Sequence, residues 1–220
     1  MKTHLRGFVL LFCFASFWTL GLIPFPEDDS ARMPPPKTGP VQLPVEPLQQ
    51  RKITSCGEAS IVMAYNYAHP TSPLNELDVI AFALDRGYYL DNRRPYTSPA
   101  NMIVIASHYT EVVMSGTVST PEQGLALLFE KLHANQPVII DSWTYLDIPY
   151  SDAHFVIVTG ISKHPKKPGV YIIHYNDPLT ARTESARWDG KGGIWEAWRN
   201  NGDPGGSGWW MTISATQEKD

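Results

Sequence analysis

QRKITSCGEASIVMAYNY, residues Gln50–Tyr67, contains the clearest helix start of this 220-residue chain and its only cysteine outside the N-terminal apolar segment. Ser55 and Glu58 fit the S-x-x-E capping box, which predicts Ser55 as the N-cap residue and Cys56 as the first residue of a helix. A helix N-terminus carries a partial positive charge and unpaired N–H groups, and both stabilise a thiolate. Cys56 is therefore a candidate nucleophile, although a small buried cysteine on a core helix would give the same pattern.

Cysteine usage bears on whether Cys56 is reactive. The chain has two cysteines, and Cys13 lies in the apolar N-terminal segment, so the rest of the chain holds a single thiol. Exported proteins usually pair their cysteines in disulfides. A lone thiol in an oxidising compartment is a liability unless it is buried or used, and this favours a nucleophile over a residue that only fills the core.

Residues 1–29 have the organisation of an export signal. Lys2 and Arg6 precede an uncharged apolar run over residues 7–25, and three acidic residues follow it. This run approaches the length that spans a bilayer and exceeds the usual apolar core of a cleaved signal peptide. Because no small-x-small cleavage site follows, we favour an uncleaved membrane anchor over a signal peptide. The sequence thus predicts an exported protein, periplasmic or extracellular, that contacts the cytoplasmic membrane through residues 7–25 alone.

The composition of the remaining chain predicts three segments. Residues 30–48 are rich in proline and predict an extended linker, residues 49–214 a single packed domain, and residues 215–220 a polar tail. The net charge of −4 and the lack of a Lys/Arg cluster argue against a nucleic-acid partner. No group of His, Cys and Asp has metal-ligand spacing, so neither a metal nor another cofactor is predicted. The sequence does not indicate an oligomeric state.

Helical patterns come first in the domain and strand patterns afterwards. The predicted helices cover residues 56–67, 75–86, 99–109, 121–134 and 194–199. The predicted strands cover residues 112–114, 138–143, 154–161, 170–175 and 209–214, with a tight turn at 163–169 that joins two of them into a hairpin. This order predicts an α+β fold, in which N-terminal helices pack on a C-terminal antiparallel sheet.

His154 is the strongest candidate for the base that a nucleophilic cysteine requires. It begins an almost wholly apolar strand, HFVIVTG, where a polar side chain would emerge from a rigid scaffold. His174, inside the next strand, is its rival. Asn176 and Asp177 follow that second strand, and the hairpin would bring either one close enough to orient the imidazole, although a plain Asx-Pro turn has the same sequence.

An oxyanion also needs hydrogen-bond donors. The backbone N–H of Cys56 at the helix start is one candidate. The side-chain amide of Gln50 or Gln49, just upstream, is a candidate for the second.

Taken together, these segments resemble the papain-like bacteriocin-leader (double-glycine) peptidase family, and most closely its stand-alone, transporter-free branch. The resemblance covers about residues 49–210. Four blocks carry it, in the family's order: Gln50 with Ser55-Cys56-Gly57, then Ser98-Pro99-Ala100-Asn101, then HFVIVTG from His154, then Tyr175-Asn176-Asp177-Pro178. It implies a papain-like cysteine peptidase fold.

The resemblance also implies a role for each matching residue. Cys56 would be the nucleophile, His154 the general base and acid, Asp177 the residue that orients His154, and Gln50 the oxyanion donor. The chain departs from the family's pattern at two places beside the nucleophile, with Ser55 where Asp is frequent and Glu58 where Pro is frequent.

Two differences from the family bear on function. A carboxylate at Glu58 would oppose the thiolate if it points inward. The chain also has no transporter region, so cleavage of leader peptides at a double glycine does not follow.

The predicted function is that of an exported thiol hydrolase, which cleaves an amide bond in a peptide or protein substrate through a Cys-His-Asp triad and an acyl-enzyme. A transglutaminase-like acyltransferase and a peptidoglycan amide hydrolase are alternatives on the same triad. A catalytically silent peptide- or glycan-binding module is an alternative of another class. Its stacking surface would come from tryptophans that could equally form the core, namely Trp188, Trp195, Trp198, Trp209 and Trp210.

Overall fold

The computed structural model describes residues 38–215. The predicted export segment, the first part of the predicted linker and most of the predicted tail therefore lie outside the described residues. Within residues 38–215, no helix combines the length and the apolar character that crossing a bilayer requires.

The five helices begin and end close to the predicted positions. Asn75, Ser98 and Thr120 each accept a hydrogen bond from a backbone N–H in the first turn of the helix that they precede. Pro99 and Pro121 occupy the first turn of two of these helices, where a missing N–H costs nothing. The helices are α1 Cys56–Ala68, α2 Glu76–Asp85, α3 Pro99–Tyr109, α4 Pro121–His133 and α5 Ile194–Arg199.

Seven strands form one antiparallel sheet. Six of them follow the order β2-β7-β3-β4-β5-β6, and the seventh, the short β1, pairs with β4. The bounds are β1 Val41–Gln42, β2 Val113–Thr117, β3 Val138–Trp143, β4 Ala153–Lys163, β5 Tyr171–Asp177, β6 Arg182–Arg187 and β7 Trp209–Ile213. The predicted hairpin is present as the antiparallel pair β4 and β5. The α+β prediction is thereby confirmed.

Two strands were not predicted from the sequence. β6 reads RTESAR and is mostly exposed at the edge of the sheet, so it lacks the apolar alternation that marks a strand. β1 lies inside the predicted linker, where Val41 pairs with Ile161 of β4, and Leu43 and Val45 are buried. The sheet therefore begins before residue 49, at which the domain was predicted to start.

Helix α1 lies at the centre of the packing. Its residues from Gly57 to Tyr65 are all buried, and it packs against β3, β4 and β7. A helix buried on every side needs apolar or small residues all round, which is what the sequence GEASIVMAY supplies except at Glu58. Helix α4 also packs against β3 and β4, and α5 packs against β3, so both strands are buried almost along their length.

The tryptophans belong to the core. Trp188, Trp198, Trp209 and Trp210 are buried, and half-buried Trp195 packs against Trp188 and Trp198 with ring centroids 5.5 and 5.8 Å away. They do not form the exposed stacking surface on which the binding-module alternative depended.

Gly208 is required by a close approach of two backbones. It has a φ of +66°, and a Cβ at this position would overlap with the carbonyl oxygen of Val118. The Val118 N–H donates to the Gly208 carbonyl at 2.9 Å, so the two segments cannot separate without losing this hydrogen bond. We expect Gly208→Ala to lower the free energy of unfolding by at least about 2 kcal/mol in urea titrations followed by circular dichroism.

Gly202→Ala is the matched control for this experiment. Gly202 lies in the same loop and has no positive φ, and a Cβ added to it would meet no atom of the described residues within 4 Å. We expect the control to change the free energy of unfolding by less than about 0.5 kcal/mol. Equal losses for the two variants would contradict the steric argument.

Candidate active site

Cys56 is the first residue of α1, and Ser55 is its N-cap residue, as predicted. The prediction of capping-box hydrogen bonds is wrong, because the side chains of Ser55 and Glu58 bind other residues. Ser55 Oγ donates to Oε1 of Glu76 at 2.8 Å, and the same oxygen accepts the Arg51 N–H at 2.9 Å. A carboxyl group from α2 thus holds the loop that leads into the cysteine.

Glu58 lies in the first turn of α1, two residues after Cys56, and is fully buried. Its Oε1 accepts a hydrogen bond from Thr97 Oγ1 at 2.6 Å. Burial raises the pKa of Glu58 to about 7, since it outweighs the opposing effect of the Thr97 hydrogen bond, and the charge of Glu76 adds to the rise. The carboxyl group therefore keeps its proton to a higher pH than an ordinary glutamate, which weakens its repulsion of a neighbouring thiolate.

The raised pKa of Glu58 predicts a pH-dependent stability. The folded protein binds this proton more tightly than the unfolded chain, so stability falls as the pH rises from about 4.5 to about 7. Glu58→Gln removes the ionisation and keeps an acceptor for Thr97. We expect its free energy of unfolding, relative to wild type, to increase by about 3 kcal/mol between pH 4.5 and pH 7.5 in urea titrations.

Glu111→Gln, at an exposed residue, is the control and should follow the wild-type pH dependence. A wild-type pH dependence that persists in Glu58→Gln would show that other groups cause it.

His154 and Asp177 form a buried pair. His154 is the second residue of β4, Asp177 is the last residue of β5, and the antiparallel pairing of these strands brings the two side chains together. His154 Nε2 donates to Asp177 Oδ1 at 2.7 Å, and this oxygen also accepts the Leu179 N–H at 2.8 Å. Because Nε2 holds its hydrogen against the carboxylate, Nδ1 is the ring nitrogen left for Cys56.

Asn176, the alternative to Asp177, has other partners. Its Nδ2 donates to the Val45 carbonyl at 2.8 Å, and its Oδ1 accepts from Thr183 Oγ1 at 2.7 Å. Successive side chains of a strand point to opposite faces, so the residue next to Asp177 cannot also reach His154. Of the two residues that the sequence left open, Asp177 is the one beside the imidazole.

The charges around His154 favour its protonated form. Burial by itself lowers the pKa of His154, but the negative charge of Cys56 and the hydrogen bond to Asp177 outweigh burial and raise the pKa to about 10. For Asp177, burial raises the pKa. The hydrogen bond and charge of His154, together with the Leu179 N–H, outweigh burial, so the pKa of Asp177 lies below its usual value. These partners therefore favour the imidazolium form of His154 at neutral pH.

His174, the rival histidine, is a hydrogen-bonded residue of the sheet. Its Nε2 lies 2.9 Å from Ser162 Oγ, and its Nδ1 lies 2.8 Å from Ser185 Oγ. Both ring nitrogens are therefore occupied by hydroxyl groups of neighbouring strands. Cys56 raises the pKa of His154, whereas only burial shifts the pKa of His174, so His154 is the histidine beside the cysteine.

Gln50 is buried close to the pair. Its backbone N–H donates to the carbonyl of Pro178, the residue after Asp177, at 2.9 Å, and its Nε2 donates to the Lys52 carbonyl at 2.8 Å. A primary amide has two N–H bonds, so one stays free for a further acceptor. Gln49 is exposed and donates its amide to the Leu179 carbonyl at 2.9 Å, which makes Gln50 the better donor toward the cysteine.

A cleft of about 300 Å³ opens beside Cys56. Three loops form its walls, at residues 94–97, 150–153 and 202–204. Their polar residues Arg94, Asp152 and Asp203 were not predicted from the sequence, because short polar loops carry no periodic pattern. The composition of the 202–204 turn, Gly-Asp-Pro, indicates a turn and nothing more.

Comparison with known protein families identifies a match over most of the chain. The sequence model of the Peptidase_C39 like family matches residues 42–205, about three quarters of the chain. No curated protein matches the sequence. The match begins within β1 and includes the segments that contain Cys56, His154 and Asp177. The chain therefore belongs to the Peptidase_C39 like family and has its papain-like α+β fold.

Proposed function

We propose that this protein is a cysteine peptidase that uses Cys56 as nucleophile, His154 as general acid and base, and Asp177 as the residue that orients His154. The observation that carries the proposal is the buried hydrogen bond of 2.7 Å between His154 and Asp177, next to a cysteine at the start of a helix. Membership of a peptidase family supports the same reaction.

Acylation follows from the charges of these three groups. The thiolate of Cys56 attacks the carbonyl carbon of an amide, and an S–C bond forms as the carbonyl oxygen becomes an oxyanion. His154 then gives its Nδ1 proton to the amide nitrogen, the C–N bond breaks, and the amine leaves. Asp177 keeps the imidazole in the required orientation throughout, because its carboxylate holds Nε2–H.

Deacylation uses the same imidazole in its neutral form. His154 takes a proton from water, the hydroxide oxygen bonds to the thioester carbon, and the S–C bond breaks to release a carboxylic acid. The proton on His154 and the thiolate are thereby restored.

The oxyanion would be stabilised by two donors. As the first residue of α1, Cys56 has a backbone N–H without an acceptor inside its helix. The second N–H of the Gln50 amide is the other donor that we propose. Each such donor contributes about 10²–10³ to the rate in enzymes where one has been removed.

We also propose that the protein acts outside the cytoplasm, with residues 1–29 as an uncleaved anchor and a peptidase domain that includes β1, Val41–Gln42, and ends near residue 214. The positive residues and the apolar run at the N-terminus support this location. Alkaline phosphatase fused after residue 48 tests it, since this reporter is active only outside the cytoplasm. An inactive fusion that accumulates to normal levels would refute export.

Product analysis is the experiment that tests the proposed chemistry. The reduced full-length protein in detergent is incubated with a quenched fluorescent peptide library in water enriched in ¹⁸O, and a primary amine is added to a second sample. A peptidase incorporates ¹⁸O into new carboxyl groups in both samples. Amine adducts as the main product would make the protein an acyltransferase, and a folded protein that yields neither product would be a binding module.

A further inference from the structure

The cleft beside Cys56 is lined by two aspartates and one arginine, and only one of the aspartates is paired with the arginine. Among the described residues, Arg94 is the only arginine or lysine that lines the cleft. Both terminal nitrogens of Arg94 bind Asp152, at 2.5 and 2.6 Å. Asp203 lines the same cleft, and its carboxylate has neither a hydrogen bond nor an ion pair to residues 38–215. Since Arg94 and Asp152 neutralise each other, the cleft keeps one unpaired negative charge.

Asp203 is held in place by buried hydrogen bonds. The Asn201 side chain is buried, and its Oδ1 accepts the Asp203 N–H at 3.2 Å. Its Nδ2 lies 2.9 Å from the carbonyls of Asp141 in β3 and of Gly206 across the loop. The Asp203 carboxylate therefore projects from a turn that is fastened to the sheet, as a preorganised binding group requires.

A second aspartate, Asp141, lies behind this turn. It is fully buried, and burial together with the charge of Asp203 raises its pKa well above the usual value, although His154 lowers it, so its neutral form is favoured. Burial also raises the pKa of half-buried Asp203, while Arg94 lowers it. A bound cation would offset the desolvation of Asp203 far better than an apolar group would.

The cleft is also lined by an exposed aromatic ring. Tyr150 lines the cleft, is 82% exposed and has a φ of +60°. A bulky residue in this region of backbone conformation is strained, and strained residues cluster at ligand-binding sites. Its ring packs against Trp143 with centroids 5.6 Å apart. An aromatic face near a carboxylate suits a cation, since both attract positive charge.

We propose that this cleft binds a lysine or arginine side chain of the substrate, with Asp203 as its counter-ion and Tyr150 as its aromatic wall. The inference rests on the proposed peptidase function and adds a substrate class to it, namely peptides with a basic residue close to the scissile bond. Asp203 would then determine specificity without taking part in the bond-breaking steps.

Active-site-directed probes test the inference without a known substrate. Two series of tripeptide acyloxymethyl ketones carry lysine, norleucine or glutamate at the first or the second position from the electrophile. The thiolate of Cys56 displaces the carboxylate leaving group and forms a thioether, which intact-protein mass spectrometry follows over time. In one of the two series, we expect the lysine probe to react about tenfold faster than the norleucine probe, with glutamate slowest.

Variants of the full-length protein assign this preference to Asp203. Asp203→Asn should bring the lysine rate down to the norleucine rate while the norleucine rate stays unchanged, which also shows that the variant is folded. Asp203→Lys should make glutamate the fastest probe. Asp189→Asn, at an exposed residue that does not line the cleft, should retain the wild-type preference.

The possible outcomes separate this inference from the function on which it rests. Equal lysine and norleucine rates in both wild-type series, or a lysine preference that persists in Asp203→Asn, would overturn the cationic subsite and leave the peptidase intact. If no peptidyl probe labels Cys56 although iodoacetamide does, the peptidase function fails and the subsite fails with it.

Discussion

Cys56→Ala is expected to lower the hydrolysis of a quenched fluorescent peptide library by about four to six orders of magnitude. Alanine cannot form the thioester, so only the oxyanion donors and substrate binding would still contribute to the rate. The fold should not suffer, because alanine is the residue that favours a helix most and Cys56 is the half-buried first residue of α1. The thermal midpoint of unfolding should therefore stay within a few degrees of wild type.

Cys56→Ser is the matched control for this loss. The hydroxyl group keeps nearly the same shape but does not ionise at neutral pH, so the variant should be almost as inactive as Cys56→Ala. Its inactivity would show that the thiolate is needed and not merely a side chain of that size. Full hydrolytic activity in either variant would mean that Cys56 is not the nucleophile.

His154→Ala is expected to slow the alkylation of Cys56 by iodoacetamide about 100-fold at pH 6, and to reduce hydrolysis by several orders of magnitude. An ordinary cysteine thiol is less than about one per cent ionised at this pH. In the pair that we propose for the wild type, the imidazolium of His154 stabilises the thiolate, and the raised pKa of His154, about 10, keeps the imidazole protonated across the neutral range.

The sign of the pH dependence follows from this pKa. The wild-type alkylation rate should be nearly constant from pH 6 to pH 9, because His154 stays positive over that range. Without the imidazolium, the rate should rise about tenfold for each pH unit as the free thiol ionises. Stopped-flow or mass-spectrometric rates measured between pH 5 and pH 10 distinguish the two profiles.

His174→Ala is the control for the loss of a histidine. His174 binds Ser162 and Ser185 within the sheet, so its removal should leave the flat wild-type profile in place. If His154→Ala retained the wild-type profile, the thiolate–imidazolium pair would be disproved and Cys56 would have to be activated by the helix N-terminus alone.

The candidate site was predictable as far as its residues are marked by local pattern. Cys56 stands at a helix start and His154 at the mouth of an apolar strand, and both signals lie within a few neighbouring residues. The choice between Asn176 and Asp177 was not predictable, because it depends on which face of β5 meets β4. One residue of register would exchange their positions.

The parts of the fold that local sequence patterns mark were also predictable, and the parts that depend on neighbouring strands were not. The helices and the long apolar strands were predicted from the spacing of their apolar residues and from the residues at their ends. The polar edge strand β6 and the two-residue β1 were missed, since each is a strand only because β5 or β4 supplies its hydrogen bonds.

By itself, the sequence determined the order of helices and strands, the candidate nucleophile Cys56 and the likeness to a peptidase family. The tertiary structure alone decided how each charge is paired: Glu58 with Thr97, Asp177 with His154, Arg94 with Asp152, and Asp203 with none of the described residues. The physical reason is the separation along the chain over which each effect acts. Capping and periodicity act between residues a few positions apart, whereas burial and ion pairing depend on groups that are distant in the chain and meet only after folding.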